Sequence, residues 1–170
     1  MNKTLVFLAA ALASTLALAQ AADPARQAEV ARRGPEVMPF SLAATKHVFT
    51  RTAQGGVQRV VARRSADAGQ VQLIRRHLRE IEAQFGRGDF SGPAHIHGAA
   101  MPGLAQLQAA KPGEVAIRYR DVPGGAELAY RSANPELVAA LHSWFGAQVS
   151  DHGPDAMAGH AHHHGGMSRQ

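Results

Sequence analysis

Two stretches of this chain read in the same order: strand, Gly-Gly turn, strand, short polar cap, amphipathic helix. In the first, residues 47–52 and 57–62 are rich in β-branched residues and partly alternate, with Gln54-Gly55-Gly56 as the turn. Ser65-Ala66-Asp67 then caps a helix through Asp67. Val71, Ile74, Leu78, Ile81 and Phe85 follow at three- and four-residue spacing, the stripe of a helix packed on a sheet, and Gly86 and Gly88 end it. In the second, Val115, Ile117 and Tyr119 alternate with Ala116, Arg118 and Arg120. Pro123-Gly124-Gly125 turns the chain, and Leu128 and Tyr130 alternate on the return. Ser132-Ala133-Asn134-Pro135 caps a helix that buries Leu137, Val138, Leu141, Trp144, Phe145 and either Gln148 or Val149. The pattern is a ββα duplication. It predicts an α+β fold in which two ββα units, over residues 45–153, form a four-stranded antiparallel sheet with two helices on one face.

The segment between the units, Pro93-Ala94-His95-Ile96-His97-Gly98-Ala99-Ala100-Met101-Pro102-Gly103-Leu104, sets two imidazoles and a thioether among Pro and Gly. It is predicted to be a loop of fixed path, followed by a short helix over 104–109.

The termini read differently. Lys3, the uncharged apolar run from Leu5 to Leu18 and the small-x-small Ala19-Gln20-Ala21 predict a cleaved signal peptide over 1–21, too short for a comfortable membrane span. Removing Lys3 lowers the formal charge from +5 to about +4, a modest excess that fits a solvated, arginine-biased surface. Residues 22–44 lack a clean period and are expected to be a flexible leader, with a helical turn or two ended by Gly34-Pro35. Residues 154–170 are expected to be a disordered, histidine-rich tail carrying His160, His162, His163 and His164. An exported chain gives the Arg75-Arg76-His77-Leu78-Arg79 cluster no nucleic acid to meet, so it is read as a solvated helix face.

With no cysteine, thiolate catalysis, disulfides, Cys-type zinc sites and iron–sulfur clusters are excluded. A soft-metal site must use His and Met. Imidazole suits zinc, copper and nickel, and an added thioether moves the choice towards copper. If both helices cover one face and run into loops, His97, Met101, His142 and His152 meet at one end of the domain. His47 and His77 are further candidate ligands, and the tail histidines would capture or buffer the ion. Two other readings stay open. His97 or His142 with Asp89 or Asp151 supplies an acid–base pair for a small anionic substrate, and histidines beside apolar stripes are also ordinary partly buried side chains. No Gly-x-Ser-x-Gly or phosphate loop is present.

Lys46-His47-Val48-Phe49-Thr50, Gly88-Asp89-Phe90-Ser91, Ile96-His97-Gly98, Met101-Pro102-Gly103-Leu104, Leu141-His142-Ser143-Trp144-Phe145 and Ser150-Asp151-His152-Gly153 together resemble a group of small exported proteobacterial proteins. These often carry the automatic label "aspartate carbamoyltransferase". The resemblance covers about residues 45–153 and points to His97, Met101, His142 and His152 without naming a reaction. The label finds no support, because the Ser-Thr-Arg-Thr motif of true carbamoyltransferases is absent and the chain is too short for their two domains. The expectation is a periplasmic protein that binds or handles a transition metal, copper first, with zinc or nickel as alternatives. Its partners would be the ion and other periplasmic metal-handling proteins.

Overall fold

A computed structural model describes residues 23–160. The predicted signal peptide and the tail histidines His162, His163 and His164 lie outside these residues. Five helices and five strands follow in the order α1 (Pro24–Val37), β1 (Thr45–Thr52), β2 (Gly55–Ala62), α2 (Ala68–Phe85), α3 (Ser91–His97), α4 (Leu104–Ala109), β3 (Ala116–Val122), β4 (Gly125–Arg131), α5 (Pro135–His152) and β5 (Ala156–Ala158). The chain is α+β, and both predicted hairpins and both long helices are present.

The sheet order is β3-β4-β2-β1-β5. The hairpins join through β2 and β4, which are antiparallel, with Gln58 opposite Leu128. The sheet has five strands and is mixed, where four antiparallel strands were expected. β5 adds to β1 in parallel, with Ala156 beside His47. Three residues, Ala-Met-Ala, carry too little pattern to announce a strand. They pair because α5 and the turn after it deliver them to the free edge of β1.

The helices cover the sheet crosswise. α2 leaves β2 but packs mainly on β4 and β3, and α5 leaves β4 but packs on β1, β2 and β5. Between them and the sheet lie Phe49, Val60, Ile74, Leu78, Leu128, Tyr130, Leu141, Trp144 and Phe145, all nearly inaccessible. Asp67 and Asn134 cap the two helices as the sequence implies, each accepting a backbone N–H from the first turn. At the outer edge of the sheet, the Tyr119 N–H donates to Glu82 of α2 at 2.9 Å, which blunts one edge position against pairing with another chain.

Three stretches depart from the sequence reading. Residues 24–37, expected to be a loose leader, form a packed helix whose Val30 is fully buried; it rests on α3 and α5 and continues through Gly34-Pro35 to Val37. Residues 93–97, expected to be the start of a loop, belong to α3. Pro93 lies in its first turn, where a missing N–H has no helical acceptor to lose, so it supports the helix instead of breaking it. Residues 156–158, expected in a disordered tail, belong to the sheet.

Candidate functional site

His47 lies on β1 between Thr45 and Phe49, and the period of two turns all three towards the helices. His152 is the last residue of α5 and His97 the last of α3. The crosswise packing brings these three chain positions together. The His47 and His152 rings are parallel within 4° with centres 5.1 Å apart, and His97 meets His152 edge to face at 5.1 Å. His77, from the middle of α2, joins through Phe40, whose ring lies 5.7 Å from His47 and 5.6 Å from His77. All four histidines are buried.

His47, His77 and His152 line a partly open, mostly apolar cavity of about 50 Å³ with Phe40, Gln58, Gln148 and Trp144. That is room for a small polar guest, since one water needs about 10–15 Å³ by this kind of measure. Among the described residues, His47 Nδ1 and Trp144 Nε1 are buried without a hydrogen-bond partner. Buried polar atoms of this kind call for an explanation. Gln58 is held by Tyr130, whose hydroxyl donates to its side-chain oxygen at 2.8 Å.

His97 faces the other way as well. Its Nδ1 stands 2.8 Å from Asp151 Oδ2, so the Nδ1–H donates to that carboxylate. Arg26 of α1 donates to the same Asp151 oxygen at 2.8 Å and also to the His97 carbonyl, tying α1, α3 and α5 together. His97, Arg26 and Asp151, with Met101, Asp23 and Ser150, line an open groove of about 740 Å³. The His97 imidazole thus stands between the groove and the ring of His152, which lines the inner cavity.

The electrostatics keep His47, His77 and His152 neutral. Burial, with the neighbouring His77 and His97 acting in the same sense, pulls His47 down to about 4, against a backbone hydrogen bond to Asp155. Burial alone brings His77 to about 4. Burial, followed by His47 and His97, holds His152 well below the ordinary histidine range. Burial opposes charge on Asp151, but the hydrogen bonds from His97 and Arg26 win and hold it at about 2. At neutral pH this amounts to neutral imidazoles beside one anchored carboxylate.

The predicted residues therefore divide. His97 and His152 meet, as expected. His47 and His77, the secondary candidates, belong to the same cluster. Met101 is buried and lines the same groove as His97. His142 does not join them: its Nε2–H is shared between the carbonyls of Thr52 at 3.0 Å and Gly55 at 2.9 Å, closing the first hairpin. It lies on the α5 face that meets the hairpin turn, whereas His152 lies at the helix end. His160 is exposed. Asp89, named for the acid–base reading, serves instead to accept the Ser91 N–H at the start of α3. Arg26, Gln58, Gln148 and Trp144 were not foreseen as site residues. Gln58 and Gln148 were detectable, because each is a polar residue at a core-facing position of its element.

As the rings stand, no group of three or more His, Asp or Glu side chains among the described residues is placed to hold a metal ion. Compared with known protein families, curated proteins and solved structures, the chain matches none. No helix of the described residues is long and apolar enough to cross a membrane.

Proposed function

We propose that the protein binds a transition metal, copper first and zinc or nickel next, through His47, His97 and His152, in the exported compartment its N-terminus implies. The observation that carries this reading is the run of three buried imidazoles spaced at 5.1 Å beside a small, mostly apolar cavity. Two imidazoles sharing an ion through nitrogens at about 2 Å have ring centres about 5 Å apart. The spacing suits a shared ion, while the aim of the rings does not. Loading requires the parallel His47 and His152 rings to rotate about their side-chain bonds, for which the cavity leaves room.

Three features support the reading. Burial keeps His47 and His152 deprotonated at neutral pH, so little proton release from them opposes binding. Asp151 fixes His97 in one tautomer, the outer hydrogen bond that metal-ligating histidines commonly make. Met101 lines the same groove as His97, with a thioether that would favour Cu(I).

The test uses the full chain with His160, His162, His163 and His164 replaced by serine, so that only the folded cluster can answer. Calorimetry and chelator competition should show copper bound more tightly than about micromolar. His152→Ala should weaken it at least about tenfold while His142→Ala leaves it unchanged. Failure of the tail-substituted chain to bind Cu(I), Cu(II) or Zn(II) at about micromolar concentration would sink the proposal. In that event the Asp151–His97 pair on the groove favours a second reading. There His97 acts as a general base on a small substrate in the groove, and the measurement is turnover that follows its titration.

A further inference from the structure

The folded chain keeps its charge excess on one surface. Residues 23–160 hold 16 Lys and Arg against 13 Asp and Glu, a formal charge of +3. The helices cover one face of the sheet. By the alternation of the strands, the opposite face carries Lys46, Arg59, Arg118, Arg120 and Arg131 against the single carboxylate of Glu127. That face is therefore +4, and the remaining 11 cations and 12 anions leave the rest of the described chain at −1.

Glu127 organises the face instead of neutralising it. It is buried, and it accepts from Arg59 at 2.8 and 3.0 Å and from Arg120 Nε at 2.9 Å, so two guanidiniums are held side by side with their outer N–H groups in solvent. Both arginines are well exposed, as are Arg118 and Arg131. Between the charges run the half-buried aliphatic side chains of Val48, Val57, Val61 and Ala129, and at the edge lies Met157, the one exposed large hydrophobic residue among the described residues.

We propose that this open sheet face binds an anionic lipid surface. The charges spread over four strands, and among the described residues no aromatic side chain lies on the face. The cavities lie on the helical side or at the strand ends. Protein partners usually anchor on aromatic or Arg side chains seated in pockets. Apart from the strand-end cavity that Ala116 and Arg131 line, the cavities lie off this basic, weakly apolar face, which matches a charged plane of headgroups. Guanidinium forks suit phosphate oxygens, and the attraction operates only within a Debye length, which requires close contact.

The experiment is cosedimentation of the full chain with vesicles of phosphatidylcholine containing roughly a quarter phosphatidylglycerol, against phosphatidylcholine alone, at low and high salt. The neutral vesicles measure whatever Leu5 to Leu18 contributes by itself. Each basic side chain near an anionic leaflet is worth about fivefold in partitioning. Arg118→Gln with Arg131→Gln should therefore lower binding to the anionic vesicles by about 25-fold, and Arg118→Glu with Arg131→Glu by more. High salt should abolish the difference between the two vesicle types. The control pair Arg76→Glu with Arg87→Glu changes the net charge equally but sits on the helical side, and should have little effect. The proposal is overturned by equal loss in the control pair, by no preference for anionic vesicles, or by a glutamate homopolymer binding this face while vesicles do not. The vesicle measurements use metal-free protein, so they stand or fall apart from the metal proposal.

Discussion

Acid should destabilise this protein above the pH range in which carboxylates titrate. His47 and His77 fall from 6.5 to about 4 on folding, because burial penalises their charged forms. The unfolded chain therefore binds more protons than the folded one between those two values. Stability rises with pH across that window, is complete above about 6.5, and is lost as pH falls towards about 4. The gap corresponds to about 3 kcal/mol for one histidine, or about 6 kcal/mol for the two if they act independently. His152 adds in the same direction. A domain of this size is stable by about 5–15 kcal/mol, so these histidines alone take a large share of it. The carboxylates with lowered pKa values, Asp151 at about 2 among them, contribute above their unfolded pKa and lose that contribution only below the histidine window. The assay is urea denaturation followed by the fluorescence of Trp144, the single tryptophan, buried against Phe85, Phe90, Tyr130 and Phe145. Unfolding free energy should drop by several kcal/mol between pH 7 and pH 4.5, and His77→Gln should remove part of the slope. A stability constant to about 1 kcal/mol over that range would refute the claim that these imidazoles are buried in neutral form.

The other expectations follow from single contacts. Asp151→Asn removes the charge that holds both His97 and Arg26, and should cost about 1–3 kcal/mol in thermal or urea unfolding. The same change should weaken metal binding about 10- to 100-fold by calorimetry. His142→Ala should lower stability by about 1 kcal/mol through the freed carbonyls of Thr52 and Gly55, with metal affinity unaffected. Gly103→Ala should destabilise by more than about 2 kcal/mol, read as a fall in melting temperature. Gly103 has φ +79°, and an added Cβ would stand 2.1 Å from the Ala140 carbonyl oxygen on α5.

The hairpins, the two long helices and their caps were legible because each depends on neighbours a few positions away. Alternation in 57–62 and 115–122, the stripe from Val71 to Phe85, and the cap residues Asp67 and Asn134 are local patterns. Local rules misled at Pro93 and Pro35, where a residue read as a breaker lies inside a helix. The parallel strand at Ala156–Ala158 was hidden for a related reason: its pairing comes from the placement of β1, not from its own composition.

The site divides in the same way. Sequence alone determined which chemistry was available: no thiolate, several imidazoles, one thioether in the central segment, and an aspartate directly before His152. It also placed His47 on one face of its strand, without saying which face would be covered. Only the tertiary structure decided that α2 and α5 cross over the opposite hairpins. That crossing carries the end of α5 onto β1, so that His152 meets His47 while His142, on the same helix, closes the hairpin instead. Helix periodicity fixes directions around an axis, but where that axis lies on the sheet is set by how the two apolar faces fit together, and no stretch of sequence holds that information by itself.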